Sequence, residues 1–371
     1  MILDRIEVRR LELPLVAPFE TSFARVDRKE FLLLTVSSDG VSGYGECVAD
    51  ADPYYLPETN DTVLHVLRDF LAPLAFTLEI ADPRDVFPAF ARVRGHNMAK
   101  AALEMAIWDL AARRAGVPLY RLLGGRGGEI KSGVSIGLQE NEAALLEKVE
   151  REHAAGYQRV KIKIKPGKDV KFAEAVRRHF PKLPLMVDAN SAYVMADADH
   201  LAALDAFGLT MIEQPLGFDD IVDHATLQRR LRTAICLDES IVSPAAARHA
   251  LDIGACRIIN IKAGRVGGIG QSIAVHDLCA SRGVPVWCGG MLESGIGRLA
   301  NVHLQTLSGF SMPGDTSASA RYFAEDLVDP PVVVSKAGTI TVPETPGLGH
   351  AIVTSRIERA TVFREEWRRA A

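Results

Sequence analysis

The chain has no CxxC pair, no apolar run near the ~20 residues that cross a bilayer, and no excess of basic charge. Its five cysteines, Cys47, Cys236, Cys256, Cys279 and Cys288, are odd in number and read as buried free thiols of a reducing, cytoplasmic setting. A formal net charge of −4 offers nucleic acid no electropositive footprint. The opening ILDRIEVRRLELPL alternates in charge and reads as a strand, not as a secretory leader. GRVGGIG (264–270) lacks the lysine of a phosphate-binding loop, so a nucleotide site is not expected there. It reads instead as a helix start whose backbone N–H groups are able to hold an anion. GGRGG (124–128) reads as a linker turn.

What the chain does have is rhythm. Lys163, Asp188, Glu213 and Asp238 stand 25 residues apart, and Lys262 follows 24 residues later. Each closes a short apolar run: VKIKI, LMVDAN, MIEQP, ICLDES and IINIKAG. That period suits one strand, one packed helix and two short loops. Strands are expected at 132–136, 159–165, 184–189, 210–214, 234–239, 257–262 and 284–289, with a weaker eighth near 309–314. Strands alternating with helices such as NEAALLEKVEREHAAG predict a parallel sheet closed into a TIM-like barrel over 126–329. Residues 1–125 lack the rhythm and predict an α+β domain, with a hairpin turn at Asp39-Gly40 and a helix in MAKAALEMAIWDLAARRAG. Residues 330–371 are expected to pack back onto that first domain. A chain of 371 residues that is 48% hydrophobic is long enough for both cores.

The rhythmic residues carry the chemistry. Lys161, Lys163 and Lys165 alternate with Val160, Ile162 and Ile164, so they share one face of their strand. On a surface strand that face would be solvated; in a barrel it points inward, where a lysine needs an acidic partner or a chemical task. Asp188, Glu213 and Asp238 end consecutive strands and should meet at one rim. Three carboxylates there repel unless neutralised, and an oxygen-only set suits Mg²⁺; capping helices or pairing with lysines is the plainer alternative. No His or Cys stands at these strand ends, which argues against zinc. Lys262 sits well around the ring from Lys163, so the two are able to face opposite sides of one planar intermediate. Burial and Arg265 are expected to depress its pKa towards that of a working base, although a plain salt bridge at the rim is as good a reading of Arg265.

These features resemble the enolase superfamily, in its muconate-lactonizing subgroup. The resemblance rests on AALEMAIWDLAARRAGVPLYRLLGG, the KxK of Lys161 and Lys163, and the series Asp188, Glu213, Asp238, Lys262. It spans essentially the whole chain. PFETSF, DES (238–240), NIKAGRVGG, CGGMLESGIGR and PGDTSASARYF are similar to o-succinylbenzoate synthases and N-succinylamino acid racemases. The resemblance implies a (β/α)7β barrel under an N-terminal capping domain completed by the C-terminal tail. It implies Mg²⁺ on Asp188, Glu213 and Asp238, with Lys163 and Lys262 as acid/base catalysts and Lys161 beside them. Lys165 lies outside the KxK pattern. Substrate contacts are expected from the loop Phe19 to Phe23, from Tyr55, and from Ser135, Asn190, Met291, Leu292 and Phe323.

The implied step removes a proton from carbon next to a carboxylate, giving an enediolate. Dehydration to o-succinylbenzoate and racemisation of an N-succinylamino acid both follow from one constellation. The expected partner is a small carboxylate substrate, with no nucleic acid or membrane, and an even-numbered homo-oligomer is usual for such a family. Muconate cycloisomerase fits CGGMLESGIGR and GDTSASARYF less well. Dipeptide epimerases carry Asp-x-Asp where this chain has Asp315-Thr316-Ser317. A Schiff-base aldolase would leave the carboxylates surplus, and a non-catalytic metal-binding barrel would leave the lysines unexplained.

Overall fold

The computed structural model describes residues 1–21 and 24–370. Three strands, β1 (Arg5–Glu20), β2 (Arg25–Ser38) and β3 (Val41–Cys47), open the chain as an antiparallel sheet. Asp39 and Gly40 turn β2 into β3 with φ of 50° and 79°, the left-handed geometry a two-residue hairpin demands. Helix α1 (Asn97–Arg114) is buried almost all round, because it lies between this sheet and the barrel. Gly43 and Gly45 let it sit directly on β3: a Cβ at either would come within 2.3 Å of its backbone.

The barrel follows as seven parallel strands in sequential order. They are β4 (Val134–Ile136), β5 (Val160–Lys163), β6 (Leu185–Asp188), β7 (Ile212–Glu213), β8 (Ile235–Leu237), β9 (Ile258–Ile261) and β10 (Val286–Cys288). The expected eighth strand is reduced to two bridges, Phe310 to Val286 and Gly314 to Ser132, which join β10 back to the start of the sheet. Pro313 has no N–H to donate there and the segment begins and ends in glycine, so no ladder extends. Outward residues such as Ile162, Val187, Leu237 and Ile261 enter the main core. Met186, Met211, Cys236, Ile258 and Trp287 form a separate inner cluster. By strand alternation they lie one layer beneath the polar strand ends.

Two barrel helices matter below: α2 (Ile269–Ser281), after β9, and α3 (Gly295–Leu304), after β10. The tail pairs Thr339–Thr341 with Glu129–Lys131, then ends in β11 (Thr361–Arg368), antiparallel to β1 at the edge of the capping sheet. The last strand therefore joins the sheet of the first domain, while Thr339–Thr341 stays beside the barrel. Among the described residues no helix is long and apolar enough to cross a membrane.

Candidate active site

Strand alternation fixes what faces the barrel's mouth. Arg159, Lys161 and Lys163 point inward along β5 and its lead-in, and all three are buried. Lys161 Nζ lies 2.7 Å from Asp315, 2.9 Å from Glu213 and 3.1 Å from Asp188. Arg159 pairs with the other oxygen of Asp315 at 2.5 Å. Lys163 Nζ donates to Asp188 Oδ2 at 2.6 Å and to Asn190 Oδ1 at 2.5 Å. Across the ring, Lys262 Nζ donates to Asp238 Oδ2 at 2.8 Å and to the Tyr55 hydroxyl at 2.7 Å, and Tyr55 donates to the same Asp238 oxygen at 3.0 Å. Arg265 holds the other oxygen of Asp238. Lys165, past the strand end, is half-buried, and its backbone pairs with that of Lys168.

Asp188, Glu213 and Asp238 are all buried at 1% exposure or less. Asn260 ties two of them together, its Nδ2 donating to Glu213 Oε1 at 2.7 Å and Asp238 Oδ1 at 3.0 Å. Burial pulls the Asp188 carboxyl up, yet Lys163 and Lys161 outweigh it and hold the group low. Glu213 goes the other way: burial, then repulsion from Asp188, pushes it up. Lys262 departs from expectation. Burial lowers its pKa, but Asp238 and Tyr55 raise it more, so the ammonium is held charged. The depression expected from Arg265 is the smaller effect, outweighed by the attraction of Asp238.

The carboxylates suit a hard divalent cation in kind: oxygen donors only, buried, with Glu213 strained by its neighbours. Among the described residues no three acidic, His or Cys groups are gathered as a ready cage. Ammonium groups stand among them instead, and Lys161 alone bridges Asp188 and Glu213.

Above this layer lies a cavity of about 300 Å³. Lys161, Lys163, Asn190 and Lys262 form its base, and Phe19, Tyr55, Ser135, Met291 and Leu292 line its walls. So the predicted residues meet, with two exceptions. Phe323 is 2% exposed in the main core, and its neighbour Tyr322 reaches the cavity, edge-on to Phe19. Phe23 lies outside the described residues. Four non-glycine residues with positive φ, Asn190, Ser191, Gln214 and Leu292, stand at this rim, the strained backbone that functional sites often hold.

Residues 5–124 match the mandelate racemase / muconate lactonizing enzyme N-terminal domain, and residues 144–356 the enolase C-terminal domain-like family. The chain belongs to the enolase superfamily. An enolase superfamily member from Listeria innocua superposes with a TM-score of 0.97 at 42% identity, covering 100% of both chains. The chain is 54% identical to an o-succinylbenzoate synthase of Geobacillus stearothermophilus over 370 residues, 100% of this chain and 98% of the relative. It is 46% identical to an N-succinylamino acid racemase of an Amycolatopsis species, covering 97% of this chain and 98% of that one.

Sequence reasoning missed Asn260 and Arg159 in this superfamily site. Both were within reach of it: each stands two residues before a named lysine on the same strand face.

Proposed function

We propose that the chain is a Mg²⁺-dependent o-succinylbenzoate synthase, a cytoplasmic enzyme of menaquinone biosynthesis that eliminates water from a cyclohexadiene carboxylate. The observation that carries this reading is that Lys163 and Lys262, from β5 and β9, line one cavity beside buried carboxylates. Identities of 43–54% to relatives named o-succinylbenzoate synthase support it. Asp188, Glu213 and Asp238 would hold the metal, which supplies positive charge for the substrate's carboxylate oxygens. With those carboxylates so engaged, each lysine is left facing the cavity. Lys163 takes the proton from the carbon next to the carboxylate and returns it to the departing hydroxyl, so one water leaves. Lys262, held charged, stands against the ring as a cation, and Lys161 stays fixed between Glu213 and Asp315.

A second reading, N-succinylamino acid racemase, draws on the same pair of lysines. One would deprotonate and the other reprotonate from the opposite face, and relatives of that name are 44% and 46% identical. A dipeptide epimerase is disfavoured, because Asp315 is taken up by Arg159 and Lys161 and the second acidic position is Ser317. The test is metal dependence of dehydration: a chelator should abolish turnover and added Mg²⁺ restore it. Full activity in chelator would overturn the reading.

A further inference from the structure

Two buried carboxylates of the capping domain take no part in the chemistry above. Glu46, at the end of β3, is 3% exposed and Glu104, on α1, is 0% exposed. Their partners are backbone N–H groups at the starts of two barrel helices. Glu46 Oε1 accepts from Ser294 N at 2.9 Å, and its Oε2 accepts from Ser294 Oγ at 2.5 Å and Gly297 N at 2.9 Å. Glu104 accepts from Ile269 N at 2.6 Å and Gly270 N at 2.8 Å. The N-cap of α2 is Gly268, which has no side chain to satisfy those donors. A Cβ on it would lie 2.2 Å from Glu104 Oε2. The anion expected at GRVGGIG is thus the chain's own carboxylate.

Stability alone does not account for these groups. Burial pushes each carboxyl up to about 7 against the pull of its N–H partners, and Glu293, the charged group facing Glu46, adds to the rise there. At α3 the N-cap Ser294 already accepts from Ile296 N with its own hydroxyl, so Glu46 adds to an existing cap while burying a charge between domains; only α2 lacks a cap of its own. What the two glutamates add is a connection between elements that build the cavity. From Glu46 the chain runs on to Asp50, Ala51 and Tyr55, and Ser294 directly follows Met291 to Glu293. Glu104 grips the start of α2, seven residues beyond Lys262.

We propose that Glu46 and Glu104 are positioning residues: capping α2 and α3 from the other domain, they hold Tyr55 in register with Lys262 and keep the cavity walls closed. Only the kinetic part of its test rests on the proposed function.

Glu46→Gln and Glu104→Gln each place an amide N–H₂ against a backbone N–H. Gly270→Ala is a third variant that keeps both charges, since its Cβ would sit 2.9 Å from Glu104 Oε1 and displace it. Amide hydrogen exchange would be followed over 50–57, 265–272 and 291–299, with strand residues 160–164 as control. We expect exchange at least roughly tenfold faster in the first three segments and unchanged in the control, with KM raised roughly tenfold and kcat changed less. Equal loss of protection in the control, or unchanged KM in all three variants, would overturn the proposal. Should the wild-type protein turn over neither substrate class, the proposed function fails, while the exchange pattern still decides this one.

Discussion

Lys163 and Asp188 are 25 residues apart in sequence and directly paired across β5 and β6, with their side chains 2.6 Å apart. The same offset sets Glu213 beside Asp188 on β7. One period in the sequence thus becomes one layer of charged groups at the barrel's mouth. The lysines and carboxylates neutralise one another there in a place where neither could stand alone.

Lys163→Ala should lower kcat by at least ~10²–10⁴-fold, the worth of a positioned general base. Lys165→Ala should stay within a few-fold of wild type, since Lys165 lies past the strand end and is not among the residues that line the cavity. Steady-state rates of the two variants side by side check this. Equal damage at both positions would mean that the inward register of β5 has been misassigned.

Tyr55 reaches from the capping domain to Lys262 and Asp238. Tyr55→Phe removes that hydroxyl and leaves the ring. It should cost roughly tenfold in kcat/KM while the unfolding midpoint moves by no more than about 2 °C. A large drop in melting temperature with unchanged kinetics would make Tyr55 a packing residue.

Asn260 bridges Glu213 and Asp238 without facing the cavity. If those carboxylates bind Mg²⁺, Asn260→Ala should weaken the metal about 10–100-fold, as losing an orienting partner does elsewhere. Titration calorimetry with Mg²⁺ alone measures it, independently of turnover.

His303 joins the barrel to the junction and the tail: its Nδ1 accepts from Tyr120 N at 3.2 Å and its Nε2 meets Leu348 O at 3.1 Å. That pattern needs a neutral ring, and burial pushes its pKa down to about 4. The folded state therefore binds this proton less readily than the unfolded chain. The contribution of His303 to stability is complete above about 6.5 and is lost as pH falls from there through 4, at most roughly 3 kcal/mol. Urea unfolding at several pH values should show a shallower acid loss in His303→Gln than in the wild type.

The barrel was legible in the sequence because its strand ends carry charge at a fixed interval, and few other folds repeat that way. The eighth strand, expected near 309–314 to be weaker than the others, is weaker still, because Gly309, Pro313 and Gly314 leave only bridges. Phe323 was misplaced for a similar reason. Tyr322 and Phe323 adjoin just past the 3₁₀ turn Ser319–Arg321, where no periodicity says which ring turns outward. Tyr55 was expected at the barrel's mouth, but the interdomain caps were not legible. Glu46 and Glu104 lie 248 and 165 residues from Ser294 and Ile269, and nothing in their local sequence marks that pairing.

Synthase and racemase are separated by kcat/KM with Mg²⁺ on two substrates in parallel: the cyclohexadiene precursor of o-succinylbenzoate, and N-succinyl amino acids. Dehydration should run well ahead of racemisation. Racemisation well ahead of dehydration would contradict the assignment as a synthase, and no turnover of either with metal bound would contradict the proposed chemistry altogether.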